Sequence, residues 1–247
     1  MLSLVSLAVA SSYSEAPVPA CDAVVLASYN VNYGLEGDGD TLAAAVATHA
    51  DVLVVQEVTP LWAGQLADAF AAELPNQLFL PDGRGAGGLA ILSRWPVSQH
   101  AFIASPIAWF PGWILHVATP HGNLQVLTVH LKPPVDDHGS FVGGAFSTAD
   151  DRLAEMKAYV SELDPQLPTV VAGDFNERNG PSIAYLASLG YQSALPNTPT
   201  WRWDTPVGTI RRQLDHVLIS AGMTRRDGAV LDIGKSDHLP LRASVCW

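Results

Sequence analysis

The chain holds two cysteines in 247 residues, Cys21 and Cys246, and their positions near opposite ends fit neither a zinc site nor a CxxC redox centre. Thiol chemistry is not implied. Basic residues are missing from the first third: residues 1 to 83 carry ten acids and no lysine or arginine, while residues from Arg84 onward carry fourteen acids and thirteen bases. The net charge of −11 speaks against a protein that coats nucleic acid through a broad basic face, since such binding rests on Lys and Arg displacing counterions from phosphates. Any side chain charge that holds an anion must therefore come from the later two-thirds, or from a metal held by the acids. No apolar run is long enough to span a bilayer, so no transmembrane span is expected. Gly and Pro are scattered without a period, which excludes collagen-like and coiled-coil readings.

What is present is a hydrophobic content of 48%, enough to bury a sizeable core. The apolar stretch Leu2 to Ala10, followed by small residues, has the length of a signal-peptide core, although a basic residue after Met1 is missing. We read residues 1–20 as a signal peptide or N-terminal extension, which places the protein outside the cytoplasm, secreted, periplasmic or in the cell envelope. Without a signal it would be cytoplasmic. Residues 21–247 contain no repeat or linker and read as one domain. Were the first and last strands neighbours, Cys21 and Cys246 would be placed to form a disulfide in an oxidising compartment.

Short apolar runs rich in β-branched residues predict strands at 23–29, 52–56, 88–93, 113–119, 124–129, 169–172, 216–220 and 239–245. Helical spacing links Leu42, Val46 and His49; Trp62, Leu66 and Phe70; Leu153, Met156 and Val160; and Ile183, Leu186 and Leu189. Pro60 and Pro181 stand where a first helical turn tolerates proline. This order predicts an α+β architecture of mixed sheets with helices on their faces.

Four of the predicted strands run into a polar residue capable of chemistry: Asn30, Glu57, His130 and Asp174. Two others are preceded by such residues, Asp215 and the pair Asp237-His238. If those two strands run antiparallel to the four, all these groups meet on one edge. Taken singly, each has a plain structural explanation: Asn30 as a turn cap, Glu57 as an ion-pair partner, a histidine as a hydrogen-bonded core residue. Together, several carboxylates and two imidazoles on one rim would repel and desolvate one another without a cation. Oxygen and amide donors (Asn30, Glu57, Asp174, Asp237) without cysteine suit Mg²⁺, with Mn²⁺ as a substitute. The chemistry expected is metal-assisted hydrolysis of a phosphate ester, with the imidazoles stabilising charge or moving a proton.

The segments Ser28 to Asn32, Gln56-Glu57-Val58, Thr128 to Leu131, Gly173-Asp174-Phe175-Asn176, Leu214 to Val217 and Ser236 to Pro240, in this order, resemble the endonuclease/exonuclease/phosphatase family, also called deoxyribonuclease-I-like. Gly88 to Pro96, Arg152 and Thr200-Trp201-Arg202 are similar to its secondary landmarks. The resemblance implies a four-layer αββα sandwich with two packed mixed sheets, first and last strands adjacent, acting as a Mg²⁺-dependent phosphoesterase. It implies Glu57 as principal metal ligand with Asn30 and Asp237 near the cation. Asp174 would orient or deprotonate water, Asn176 hold the phosphate, and His238, oriented by Asp215, act as base or phosphate-polarising group. His130 would stabilise the transferring phosphoryl. Asn32, Arg152, Trp201 and Arg202 are candidate substrate contacts. Asn32 stands where several DNA-repair members carry an acid, which puts a second metal ligand in doubt.

For the substrate, the motif set and the signal-like start favour a nuclease acting on DNA or RNA. The alternative is a phospholipid head group or small phosphoester, sphingomyelinase-like or inositol-phosphatase-like, for which a few bases such as Arg84, Lys132 and Arg202 would suffice. A non-catalytic binding module is the third reading. Trp109, Phe110 and Trp113 form an aromatic cluster suited to touching lipid, stacking bases or packing half-buried. We expect a monomer.

Overall fold

The computed structural model describes residues 21–83, 85–134 and 148–247; the signal-like segment 1–20 and Arg84 lie outside the described residues. Two six-stranded mixed sheets carry the fold. The first has the order β13-β14-β1-β2-β4-β3, built from β1 (Val24–Asn30), β2 (Val52–Gln56), β3 (Asn76–Leu80), β4 (Leu89–Ser93), β13 (Thr224–Val230) and β14 (Leu241–Cys246). The second has the order β5-β6-β7-β8-β12-β9, from β5 (Val97–Ile103), β6 (Gly112–Thr119), β7 (Gly122–His130), β8 (Thr169–Asp174), β9 (Gln192–Ser193) and β12 (Asp215–Ile219). A separate hairpin joins β10 (Trp201–Thr205) to β11 (Gly208–Arg212).

The two-residue period of a strand sorts each central run between two cores. In β2, Val52 and Val54 face the interior between the sheets, against Leu115, Val126 and Val170 of the second sheet. Leu53 and Val55 face outward onto α1 (Gly39–Val46) and α2 (Pro60–Ala69), where Trp62 and Leu66 are fully buried. The second sheet repeats the arrangement: Leu127, Val129 and Val171 meet Met156 and Tyr159 of α3 (Ala149–Val160) and Leu186 of α4 (Pro181–Ser188). The layers are thus helix, sheet, sheet, helix. Because both faces are covered, the central strands are continuous apolar runs rather than alternating ones.

Helix starts follow their capping chemistry. Asp38 accepts the Thr41 amide at the head of α1, and Thr59 accepts the Trp62 amide at the head of α2, with Pro60 in the first turn. Three helices end earlier than their apolar spacing predicts. His49 lies beyond α1 with φ of 47°, and Phe70 and Leu189 are the caps of α2 and α4 rather than part of them. In α3 the buried face is Arg152, Glu155, Met156 and Tyr159, two of them charged, so hydrophobicity alone misjudged it.

Strand directions bring the site together. β1 and β2 are parallel, as are β7 and β8, with His130 opposite Asp174. β12 runs antiparallel to β8 with Asp215 opposite Asp174, and β14 runs antiparallel to β1. The C-terminal ends of four strands and the entrances of two therefore share one rim.

At the other end of β1, Cys21 and Cys246 form a disulfide with a Cα separation of 6.3 Å. The bridge ties β1 to β14, the two strands that present Asn30 and the Asp237-His238 turn. It closes a loop of 225 residues, so chain entropy gives it leverage over the unfolded state. Reduction, or Cys21→Ser, is expected to lower unfolding free energy by about 2–5 kcal/mol, read as a shifted urea midpoint. An unchanged midpoint would remove this role.

Candidate active site

Asp174 Oδ2 is the hub. It lies 3.5 Å from His130 Nε2, 3.5 Å from His238 Nε2 and 3.2 Å from Asn30 Nδ2, and Asp174 is 1% exposed. Its other oxygen accepts the Asn176 amide at 2.8 Å. Gly173 makes this approach feasible: its φ is 145°, and a Cβ there would run into the Val129 carbonyl of the neighbouring strand. Burial, with Asp215 adding to it and the imidazoles opposing, pushes the Asp174 carboxyl up to about 6.

His238 stands between two carboxylates. Its Nδ1 lies 2.9 Å from Asp215 Oδ2 and 3.0 Å from Oδ1. Asp215 Oδ2 also accepts the Thr200 hydroxyl at 2.6 Å, and Thr200 Oγ1 in turn accepts the Leu214 and Asp215 amides. Burial disfavours charge on His238, but the charges of Asp215 and Asp174 outweigh it and raise its pKa to about 10. His130 goes the other way: burial holds its pKa below the usual value despite Asp174. Its Nδ1 faces the Ala86 carbonyl at 3.1 Å, and Phe110 packs on its ring at a centroid distance of 4.5 Å. A neutral His130 donating to that carbonyl leaves Nε2 bare toward Asp174.

Among the described residues, Glu57 and Asp237 take their hydrogen bonds from neutral donors. Glu57 Oε1 accepts Asn30 Nδ2 at 2.9 Å and Oε2 accepts the Tyr33 amide at 2.9 Å. Asp237 Oδ1 accepts Asn32 Nδ2 at 2.8 Å and Oδ2 accepts the Trp201 indole at 2.8 Å. Burial raises the Glu57 carboxyl, Asp237 adding to the shift, against the hydrogen bonds from Asn30 and Tyr33 and the charge of His238. Glu57, Asn32 and Asn176 all have φ between 52° and 63°, a left-handed conformation that is costly for glutamate, on the order of 1 kcal/mol. The fold holds that backbone where Glu57 can face the rim.

Asp174, Asp215 and His238 each offer a ligand atom within 4.8 Å of the others, a buried group of the composition that holds metal ions. Glu57 and Asp237 form a second candidate set bordering an open cleft of about 960 Å³, which Asp174, His130 and His238 also line, while Asn30 turns its Nδ2 to Glu57 and Asp174 and its Oδ1 to the Asn32 amide. Asp215 does not line the cleft.

The remaining sequence candidates divide. Asn176 donates Nδ2 to the Leu131 carbonyl at 2.9 Å and lines the cleft. Trp201 lines it too, while Asn32 is turned onto Asp237. Arg152 borders the cleft but is 3% exposed, with Nε 3.1 Å from Glu177 Oε2 and Nη1 bonded to Thr148, so it holds structure around the site. Arg202 does not border the cleft: strand alternation sets it on the opposite face from Trp201 and Trp203, and its guanidinium binds Asp232 at 2.9 Å and the Gly234 carbonyl at 2.7 Å. Lys132 is likewise committed, 2.7 Å from Asp151 and over the Trp109 ring. Trp113 does not join an aromatic loop; it sits in the inter-sheet core, 2% exposed, with its indole on Gln99.

Sequence reasoning missed Glu177, which accepts the Ser182 and Ile183 amides at the head of α4 while pairing with Arg152. It also missed the β10–β11 hairpin, whose Trp203, Ile210 and Arg212 border the cleft. The alternation Trp201-Arg202-Trp203 before Pro206-Val207-Gly208 was the available signal.

A family model described as the endonuclease/exonuclease/phosphatase family matches residues 27–238. Among solved structures, an endonuclease/exonuclease/phosphatase from Beutenbergia cavernae DSM 12333 is 19% identical, covering 90% of this chain and 71% of its own, with a TM-score of 0.70. A humanized D. rerio TDP2 is 17% identical over 91% of this chain and 99% of its own, TM-score 0.67. A mannosyl-6-phosphatase, Bt3783 of Bacteroides thetaiotaomicron VPI-5482, is 16% identical over 91% and 100%, TM-score 0.65. Comparison with proteins of curated function finds no match.

Proposed function

The chain belongs to the endonuclease/exonuclease/phosphatase family, and on that premise we propose that it is a divalent-metal-dependent phosphodiesterase acting on nucleic acid. The observation that carries the hydrolytic reading is the meeting of Asp174 with both imidazoles and with Asn30 on one rim of an open cleft.

Two sets of residues compete for the cation. In the Asp174, Asp215 and His238 group, the imidazole already bridges the acids, and Asp215 is further satisfied by Thr200. Glu57 and Asp237 receive only neutral donors, and both face the cleft. Hydrogen bonding therefore leaves Glu57 and Asp237 less compensated than Asp174 and Asp215, and these two carboxylates fit a hard cation such as Mg²⁺ or Mn²⁺. When bound, that ion would neutralise charge on the phosphoryl oxygens. Asp174, with a pKa near 6, takes the proton of the attacking water. His238, held by Asp215 and raised to about 10, stays charged at neutral pH and steadies the phosphoryl oxygens. Asn176 completes the phosphoryl contacts through the remaining hydrogen of its Nδ2, and His130 donates to them only as the doubly protonated ring, with Nδ1 kept on the Ala86 carbonyl.

Aromatic side chains on both flanks, Trp109 and Phe110 on one and Trp201 and Trp203 on the other, suit stacking on bases. A second reading, a head-group or other small phosphoester substrate, draws support from the commitment of Lys132 and Arg202 to internal acids, which leaves few cations for a long polyanion. The disulfide and the signal-like segment support an oxidising compartment outside the cytoplasm.

The test is turnover with and without Mg²⁺ against plasmid DNA, RNA, a generic diester, sphingomyelin and inositol phosphates. Mg²⁺-dependent cleavage of nucleic acid is expected. Selective lipid or inositol phosphate turnover transfers the proposal to the second reading, and no turnover of any substrate overturns both.

A further inference from the structure

Two cations at the cleft have no acidic partner among the described residues. Lys132, Arg152 and Arg202 are each paired with an acid. Arg178 and Arg212 are exposed and line the cleft; Arg178 Nη2 donates only to Asn197 Oδ1 at 3.1 Å, and Arg212 Nη1 to the Arg211 carbonyl at 3.1 Å.

The backbone brings both to the same end of the β8–β12 pair. The β8–β12 ladder pairs Asp174 with Asp215 and continues past the strand ends through the Phe175 amide and the Leu214 carbonyl, 2.9 Å apart. His216 Nε2 meets the Glu177 carbonyl at 2.8 Å and anchors the same segment. Moving outward from the site, the chain reaches Arg178 on one side and Arg212 on the other, just beyond Asn176. On the hairpin, Arg212 pairs across from Trp201, and Ile210 pairs across from Trp203, so these four alternate positions form one wall of the cleft. The wall presents apolar surface with Arg212 on it, and Arg178 lines the same cleft; of the proposed cation ligands, Glu57 lies on the first sheet and Asp237 accepts the Trp201 indole of this wall.

Resting on the phosphodiesterase reading, we infer that Arg178 and Arg212 form an anion subsite for a second phosphate on the substrate, one linkage from the scissile phosphorus. Trp203 and Ile210 cover the moiety between the two phosphates. In a chain of net charge −11 whose first 83 residues carry no base, two cleft guanidiniums without acidic partners are a local reversal of sign. Guanidinium forks match phosphate oxygens in pairs, which gives the subsite directionality as well as charge. The substrate class is an ester flanked by a second phosphate, as in a nucleic acid strand, rather than an isolated phosphomonoester or a zwitterionic head group.

The test uses the p-nitrophenyl ester of thymidine 5′-phosphate with and without a 3′-phosphate, following p-nitrophenol release in Mg²⁺. The wild type should favour the 3′-phosphorylated ester by about tenfold in kcat/KM, through KM rather than kcat. Rising salt should shrink that preference. Arg178→Gln and Arg212→Gln should each reduce the ratio, and the double variant should bring it near one. Calorimetry supplies a readout independent of turnover: thymidine 3′,5′-bisphosphate should bind the wild type more tightly than thymidine 5′-phosphate, and the double variant should bind the two alike. A wild-type ratio of one, or a ratio the double variant leaves intact, overturns the subsite. Failure of the parent reading looks different, since neither ester then releases p-nitrophenol in a Mg²⁺-dependent way.

Discussion

His238→Ala will lower kcat/KM by roughly three to four orders of magnitude, the largest loss expected of any single substitution in this protein. The ring stands 2.9 Å from Asp215 and 3.5 Å from Asp174, so its removal takes away the positive charge beside the phosphoryl group and the bridge between two buried acids. That second loss complicates alanine. Asp215 is 2% exposed and would keep only the Thr200 hydroxyl and whatever water enters, and an unpaired buried charge costs about 3–5 kcal/mol. His238→Gln separates the effects, because its amide can still donate to Asp215 while carrying no charge. The expectation is a glutamine variant that melts close to the wild type yet turns over nearly as slowly as alanine. A glutamine variant retaining more than a tenth of wild-type turnover would show that His238 acts by holding Asp215 in place rather than by its charge.

The parts of this molecule legible in its sequence are those where one physical demand dominates. β2, β4, β7 and β8 lie between two apolar layers, so their residues are hydrophobic on both faces and announce themselves as runs. β5, β11 and β13 are exposed or only partly buried along their lengths, and their polar sequences follow solvent instead of the ladder. The same division holds at the site. Asn30, Glu57, His130 and Asp174 could be singled out because a polar group ending a buried strand has few reasons to be there. The arginines could not be sorted in this way. Arg202 and Arg212 sit on the same hairpin, and which one meets the cleft depends on the pleat and on the partner across the strand. Arg178 and Arg152 flank the Asp174 turn, and only the placement of Glu177 decides that one is sealed and the other exposed. Strand ends carry local information, whereas ion pairing depends on neighbours that are distant in the chain.

Glu57→Gln should cost at least about a hundredfold in Mg²⁺ affinity while leaving the metal-free protein as stable as the wild type, or more so. Both oxygens of Glu57 accept hydrogen bonds, from Asn30 and Tyr33, and glutamine can keep one of them. What it loses is the charge, and burial already disfavours that charge when no cation is near. The pH dependence follows from three shifts. Asp174 titrates near 6 in the folded protein against an ordinary 3.8, so its ionisation subtracts stability as pH rises from about 4, with the full cost reached above about 6. Glu57, also raised, acts in the same direction. His238, raised to about 10 from 6.5, contributes stability that is complete below about 6.5 and gone above about 10. All three make the metal-free protein less stable with rising pH. Mg²⁺ binds the ionised carboxylates, so the stabilisation it gives, read as a rise in Tm, should grow as they ionise, amounting to about 2.7 kcal/mol of unfolding free energy at a hundredfold excess over Kd. In Glu57→Gln that Mg²⁺-dependent shift should nearly vanish at pH 8. If the shift survives, the cation is held by Asp174, Asp215 and His238 instead, and if the variant unfolds without metal, Glu57 serves mainly to hold the β2 turn against Asn30 and Tyr33.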